Sequence, residues 1–197
     1  QDATVVARLR AEGAIILGIT NVPEFMSAFE TDNDLYGRTN NPYDLTRTPR
    51  GSSGGEAAII AAGASPFGLG SDAGGSIRLP AHNTGIVGIK PTKGLVPITG
   101  NIPVDGVGLI ADIATYGPMA RYVEDLIYTL PIIAGPDQKD PDAIPVILQN
   151  VANVDLKSLR IAYYTEDKIS SPTIETQNLI TTVIKSLEKE VLRYRLL

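Results

Sequence analysis

The sequence contains no cysteine, which excludes a disulfide framework, a thiol nucleophile and any thiolate-bound metal. Its single histidine, His82, cannot by itself build a zinc site, which ordinarily takes three protein ligands. Nor does His82 suit a Ser-His-acid triad, because it follows Ser76 by six residues, on a different face of the same predicted helix. No lysine occurs before Lys90, and Lys and Arg are nowhere densely clustered in a chain of net charge -5, which argues against a nucleic-acid surface. No apolar run reaches the ~18 residues of a membrane-spanning helix. The opening QDATVVARLR also lacks the basic-then-apolar order of a signal peptide, so the expectation is a soluble, cytoplasmic protein. What is present is a hydrophobic fraction of 43% over 197 residues, enough for a buried core. The chain has no initiator Met and begins almost inside a helical pattern, which points to a fragment.

Local patterning predicts alternating helices and strands. A helix from Ala3 to Glu12 closed by Gly13 precedes a buried strand from Ala14 to Thr20, and Pro23 opens a second short helix through Phe29. Residues 32–49 read as a long polar loop with an Asn-Pro break. A small-residue helix over Ala57 to Gly63, strands over Phe67 to Ser71 and Ile86 to Lys90, and a helix between them over Ile77 to Asn83 follow. Glycine and proline punctuate the chain from Lys93 to Pro118, after which ARYVEDLIYTLPIIAG resumes helical spacing. A strand over Leu159 to Tyr164 and a helix from Pro172 or Thr173 to about Tyr194 complete the pattern. Such alternation implies an α/β layer: a mixed, mostly parallel sheet flanked by helices.

The chemistry concentrates in RGSSGGEAAIIAAGASPFGLGSDAGGSIRLPA, residues 50–81. GLGSDA fits a dinucleotide fingerprint, but the acidic residue that should follow about 20 positions later is missing. A P-loop fails too, since no Lys-Ser or Lys-Thr follows the glycines. Gly74 and Gly75 before Ser76 let successive N–H groups turn toward one point, at the positive end of the helix that starts there. Such a nest would hold the oxyanion formed when a Ser76 hydroxyl attacks an acyl carbon. The same spacing also describes a tight strand-to-helix turn ending in a serine N-cap. A serine nucleophile needs a base. The hydroxyls of Ser52 and Ser53 in GSSGG could relay a proton to a desolvated lysine, yet no lysine precedes residue 90.

GSSGG at 51–55, GLGSDAGGSIRLPA at 68–81 and GIVGIKPTKG at 85–94 together resemble the amidase signature family of serine hydrolases. The lead-in DATVVARLRAEGAIILGITNVPEF, the loop GRTNNP and the later GPMARYVEDL and IIAGPDQKDP extend the resemblance over roughly residues 2 to 140. It implies hydrolysis of a small-molecule carboxylic amide through a Ser, cis-Ser, Lys triad on an α/β fold, with no cofactor and no metal. Ser76 would be the acylated nucleophile, and Ser52, 24 residues earlier, the bridging serine after a cis peptide. The amides of Ala73, Gly74, Gly75 and Ser76 would form the oxyanion hole, with Ser53, Asp72 and Arg78 as supports.

Arg50 stands where the family usually has a second glycine, and the family's lysine belongs to a segment upstream of this chain's first helix. Lys90 and Lys93 belong to another landmark and read as structural or surface residues. The expectation is therefore that residues 1–197 are part of a single domain truncated at both ends, with little or no activity alone. Two other readings stay open: a scaffold that kept the fold but lost its base, and the transamidating component of a glutamine-dependent amidotransferase. Glu56 points weakly to branches that act on fatty or simple acyl amides, and a homo-oligomer is compatible with everything above.

Overall fold

The computed structural model describes residues 1–100, 110, 112–166 and 169–188, and the backbone of 193–196. It divides into two compact units, Gln1–Leu148 and Gln149–Leu197.

In the first unit, helix α1 (Thr4–Ala11) buries Val5 and Leu9, one turn apart, against Val96 and Ile133. Gly13, at φ 89°, lets the chain leave that helix in the left-handed region, as its sequence position predicts. Helix α2 (Gly54–Ala61) and helix α3 (Arg78–Thr84) enclose a second cluster in which Ala57, Ile60, Ile77 and Met119 are fully buried. Both helices lie close to strand β1 (Phe67–Asp72), and Gly70 permits this. A Cβ there would come within 2.8 Å of the Ile77 and Ser53 side chains and 2.9 Å of the Met119 sulfur.

The sheet departs from expectation. Strand β2 (Val87–Gly88) is shorter than the predicted 86–90, and strand β3 (Thr115–Ala120) arises where the sequence reads only as turns. The order is β1-β3-β2, and β3 pairs antiparallel with both neighbours, so the described sheet is antiparallel rather than mostly parallel. The crossover β1–α3–β2 does return β1 and β2 in the same direction, as alternation implies. The two are not adjacent because β3 lies between them, with Phe67 opposite Ala120 in one ladder and Val87 opposite the same residue in the other.

The strand predicted over 14–20 is also absent. No described strand lies beside this segment to complete a ladder, and Ile15, Leu17 and Ile19 are 86%, 68% and 100% exposed. The second short helix reduces to a single 3-10 turn, Glu24–Met26, because Phe25 and Met26 take φ of 52° and 57°.

Helix α4 (Val123–Ile133) packs on α1, and the Arg8 guanidinium closes its end. It donates to the carbonyls of Ile133, Ala134, Gly135 and Pro136 at 2.8–2.9 Å. The Ile133 carbonyl is one that a helix terminus leaves without a partner, the other three belong to the chain just after it, and a cation there also complements the helix dipole. Replacing Arg8 with Met should cost about 1–2 kcal/mol in a urea unfolding series, most of it retained in high salt because four directional bonds are lost.

The second unit holds strand β4 (Arg160–Tyr163), helix α5 (Ile174–Leu187) and strand β5 (Arg193–Leu196), with β4 and β5 parallel. Thr173 caps α5 by accepting from the Thr176 N–H. The predicted helix to Tyr194 ends earlier: Tyr194 lies in β5, and residues 189–192 fall outside the described set. Among the described residues no helix is long and apolar enough to cross a membrane.

Candidate active site

The two serine clusters meet. Strand β1 delivers Asp72, the chain turns through Ala73–Ile77, and α3 begins at Arg78. Ser52 and Ser53 immediately precede α2 and are 2% and 5% exposed. The Ser53 N–H donates to the Ser76 carbonyl at 3.1 Å. The Ser53 hydroxyl accepts from the Ser71 N–H at 3.2 Å and lies 3.4 Å from the Ser71 carbonyl. Ser53 thus stitches the GSSGG turn to the end of β1 and to the residue the resemblance makes nucleophilic. The Gly51–Ser52 peptide is cis, as the resemblance implies.

Asp72 organises the second loop. Its side chain is fully buried, and its carboxylate accepts from the N–H groups of Gly75 (2.7 Å), Ile77 (3.1 Å) and Arg78 (3.2 Å). The Arg78 guanidinium adds a two-point contact, Nε to Oδ2 and Nη2 to Oδ1, each at 3.0 Å. Burial pushes this carboxyl up, but the Arg78 side chain and the three backbone donors outweigh it and hold the group below its ordinary value.

The clamp sorts the loop's amides. Of the four that the resemblance assigns to an oxyanion hole, Gly75's is given to Asp72, whereas those of Ala73, Gly74 and Ser76 have no acceptor among the described residues. Gly75, at φ 129°, supplies a backbone conformation that a residue with a Cβ rarely adopts. Gly74 is exposed and Ser76 half-buried, so the rim is open to a small molecule.

Other residues fall away from this centre. His82 is exposed on α3, and Lys93 pairs with Asp142 at 3.2 Å. Lys90, half-buried after β2, has no hydrogen-bond or ion-pair partner among the described residues. Among the described residues no cluster of three or more His, Cys, Asp or Glu could hold a metal ion. A cavity of about 320 Å³ opens between Leu9, Gly13, Phe67, Tyr128 and Ile132, and none of the serines lines it. Arg50 takes φ 69° and extends its guanidinium to Glu30 at 2.8 Å, with both side chains about half exposed. A pair so exposed contributes little to stability.

Glu56, in the first turn of α2, accepts from the Thr20 hydroxyl at 2.9 Å, while its other oxygen lies against Gly68. Burial pushes its carboxyl above the ordinary value, opposed in part by the Thr20 hydrogen bond. The folded state therefore favours the protonated form, and stability falls as pH rises from about 4.5 through the folded value. Glu56→Gln keeps an acceptor for Thr20, so it should be neutral or stabilising in urea melts at pH 7, with any gain shrinking toward pH 4.5.

Thr31 carries no mark of a site residue in the sequence. It is 1% exposed, and its hydroxyl bonds three backbone groups in the 50–54 turn. A lone threonine in a polar loop whose partners are all main chain leaves no spacing signal.

The Amidase family model matches residues 1–194. A glutamyl-tRNA(Gln) amidotransferase subunit from Sulfurihydrogenibium sp. is 42% identical over 197 residues, covering 96% of this chain and 39% of that protein. Human fatty-acid amide hydrolase 2 is also 42% identical, over 193 residues, covering 94% of this chain and 35% of its own length. Among solved structures, 6-aminohexanoate cyclic dimer hydrolase complexed with substrate superposes with a TM-score of 0.86 at 32% identity, covering 97% of this chain and 41% of that one. The chain thus spans well under half the length of these relatives.

Proposed function

This chain belongs to the amidase family, and on that premise we propose that the whole protein is a serine amidohydrolase acting on a small linear carboxylic amide. The observation that supports it is the loop at 73–76: three amides without acceptors among the described residues, on a loop held by a buried carboxylate, beside a buried serine pair. Ser76 Oγ attacks the acyl carbon and gives up its proton through the Ser52 hydroxyl toward a lysine supplied by polypeptide outside these residues. Negative charge develops on the carbonyl oxygen facing the amides of Ala73, Gly74 and Ser76, where donors already oriented need no rearrangement. The proton returns to the leaving nitrogen as the C–N bond breaks. Water, deprotonated through the same relay, then attacks the acyl-enzyme ester and regenerates Ser76. Asp72 and Arg78 touch neither substrate nor proton; they hold the donors.

A second reading is transamidation within an amidotransferase, with which the 42% identity to a glutamyl-tRNA(Gln) amidotransferase subunit is consistent, although the fatty-acid amide hydrolase is equally identical. The two share the acyl-enzyme step and differ in what receives the nitrogen. A scaffold that lost its base is the third.

One experiment separates these readings: hydrolysis of a panel of simple amides, with glutamine included, by the whole protein and by residues 1–197 alone. Turnover of simple amides by the whole protein, with little or none by the 197 residues, is expected. Preference for glutamine favours the amidotransferase reading, and silence from both favours the scaffold. Robust turnover by the 197 residues alone refutes the external base.

A further inference from the structure

We infer that Thr31 is a positioning residue for the bridging serine: its buried hydroxyl fixes the 50–54 turn so that Ser52 stays in line between Ser76 and the base. This rests on the amidohydrolase reading above. The Thr31 hydroxyl donates to the Arg50 carbonyl at 2.9 Å and lies 3.4 Å from the Ser52 carbonyl, so one proton is shared across the backbone on both sides of Gly51. The same oxygen accepts from the Gly54 N–H at 3.2 Å. Gly54 opens α2, where the first amides of a helix lack partners, and Thr31 therefore caps that helix from a distant loop while tying it to the serine turn. Thr31 is anchored in turn, since its carbonyl accepts from the Thr39 N–H at 2.9 Å and its side chain is out of reach of water.

The glycines on either side are matched to this hydroxyl. A Cβ at Gly51 would come 3.0 Å from Thr31 Oγ1, and one at Gly54 would overlap that oxygen and approach Thr31 Cβ at 2.8 Å. Two of the three glycines in GSSGG thus face this side chain from another loop, Gly51 also facing the Phe29 and Ala28 backbone and Gly54 also facing Pro49. A hydroxyl that both donates and accepts can hold this turn; a methyl can do neither.

The variants are Thr31→Val, which keeps the shape and removes the hydroxyl, and Thr31→Ser, which keeps the hydroxyl, both in the whole protein. Val should lower kcat on a simple amide on the order of 100-fold with KM within about twofold, the pattern of a reacting group displaced by about an ångström. Ser should recover kcat to within about threefold of wild type. Thr31→Ala, read by the same criteria, decides the matter if the Val variant does not fold. Wild-type turnover with Val or Ala within about threefold in kcat, or a loss that Ser does not rescue, overturns the inference alone. A wild-type protein that hydrolyses no amide and yields no Ser76 adduct with a fluorophosphonate overturns the amidohydrolase reading and this inference with it.

Discussion

Ser76→Ala in the whole protein should lower kcat on any amide it hydrolyses by about 10⁴-fold or more, because in the proposed mechanism the acyl group is carried by the Ser76 Oγ. The fold should survive, since the Ser76 carbonyl, not its hydroxyl, receives the Ser53 N–H, and Ala leaves that bond intact. A fluorophosphonate should label the wild-type protein at this residue and leave the variant unmodified. Mass spectrometry placing the adduct elsewhere in wild type, or a variant that keeps a tenth of the activity, would remove Ser76 from its role. Ser52→Ala should lose comparably, because a triad acts as a unit and its deletions are not additive.

The second large effect belongs to Asp72. Asp72→Asn should lose about 2 kcal/mol of stability, because a buried acceptor of three backbone N–H groups is compromised, while the half-exposed Arg78 guanidinium adds little. An amide there accepts from some of the donors on Gly75, Ile77 and Arg78 but presents its own N–H₂ to the rest. Activity should fall with it, on the order of 100-fold in kcat, as the amides of 73–76 lose their common anchor. The pH dependence follows from the depressed folded value. The carboxylate's stabilisation is fully present above the unfolded value of about 3.8 and is lost as pH falls through the lower folded one. The gap between wild type and Asp72→Asn in urea melts should therefore be widest at neutral pH and close toward pH 3 and below. A gap that stays constant with pH would mean the carboxylate's charge contributes nothing.

Much of this is legible in the sequence for identifiable reasons. Helix α1 can be read because Val5 and Leu9 recur one turn apart and Gly13 marks the stop; in the structure Gly85, at φ 67°, ends α3 in the same way. The serine turns stand out because glycine on both sides of a hydroxyl is uncommon outside loops that bring backbone close to something. Strand β3 is hidden because Gly117 and Pro118 look like breakers, and a proline in a central strand normally argues against one. Here the Pro118 carbonyl still accepts from the Ile89 N–H at 3.2 Å. With β3 hidden, the sheet's antiparallel character is invisible, although the shared direction of β1 and β2 is not. Residues 14–20 mislead in the opposite sense, since an apolar run specifies a strand only where a neighbouring strand supplies hydrogen bonds. Within the site, the resemblance marks Asp72 as a support, but its choice of Gly75's amide over the others depends on the loop's path in three dimensions, which no residue spacing encodes.

The place of β3 between β1 and β2 sets an order of events during synthesis. Residues 67–72 and 87–88 are synthesised before 115–120, and neither of the earlier segments has any other described ladder partner. Both wait, unzipped, for a tract that arrives more than forty residues after Asp72, a long-range closure of the kind that delays assembly. A nascent chain halted short of Thr115 would carry Ser52, Ser76, Thr31 and Asp72 but not the strand that ties β1 to β2.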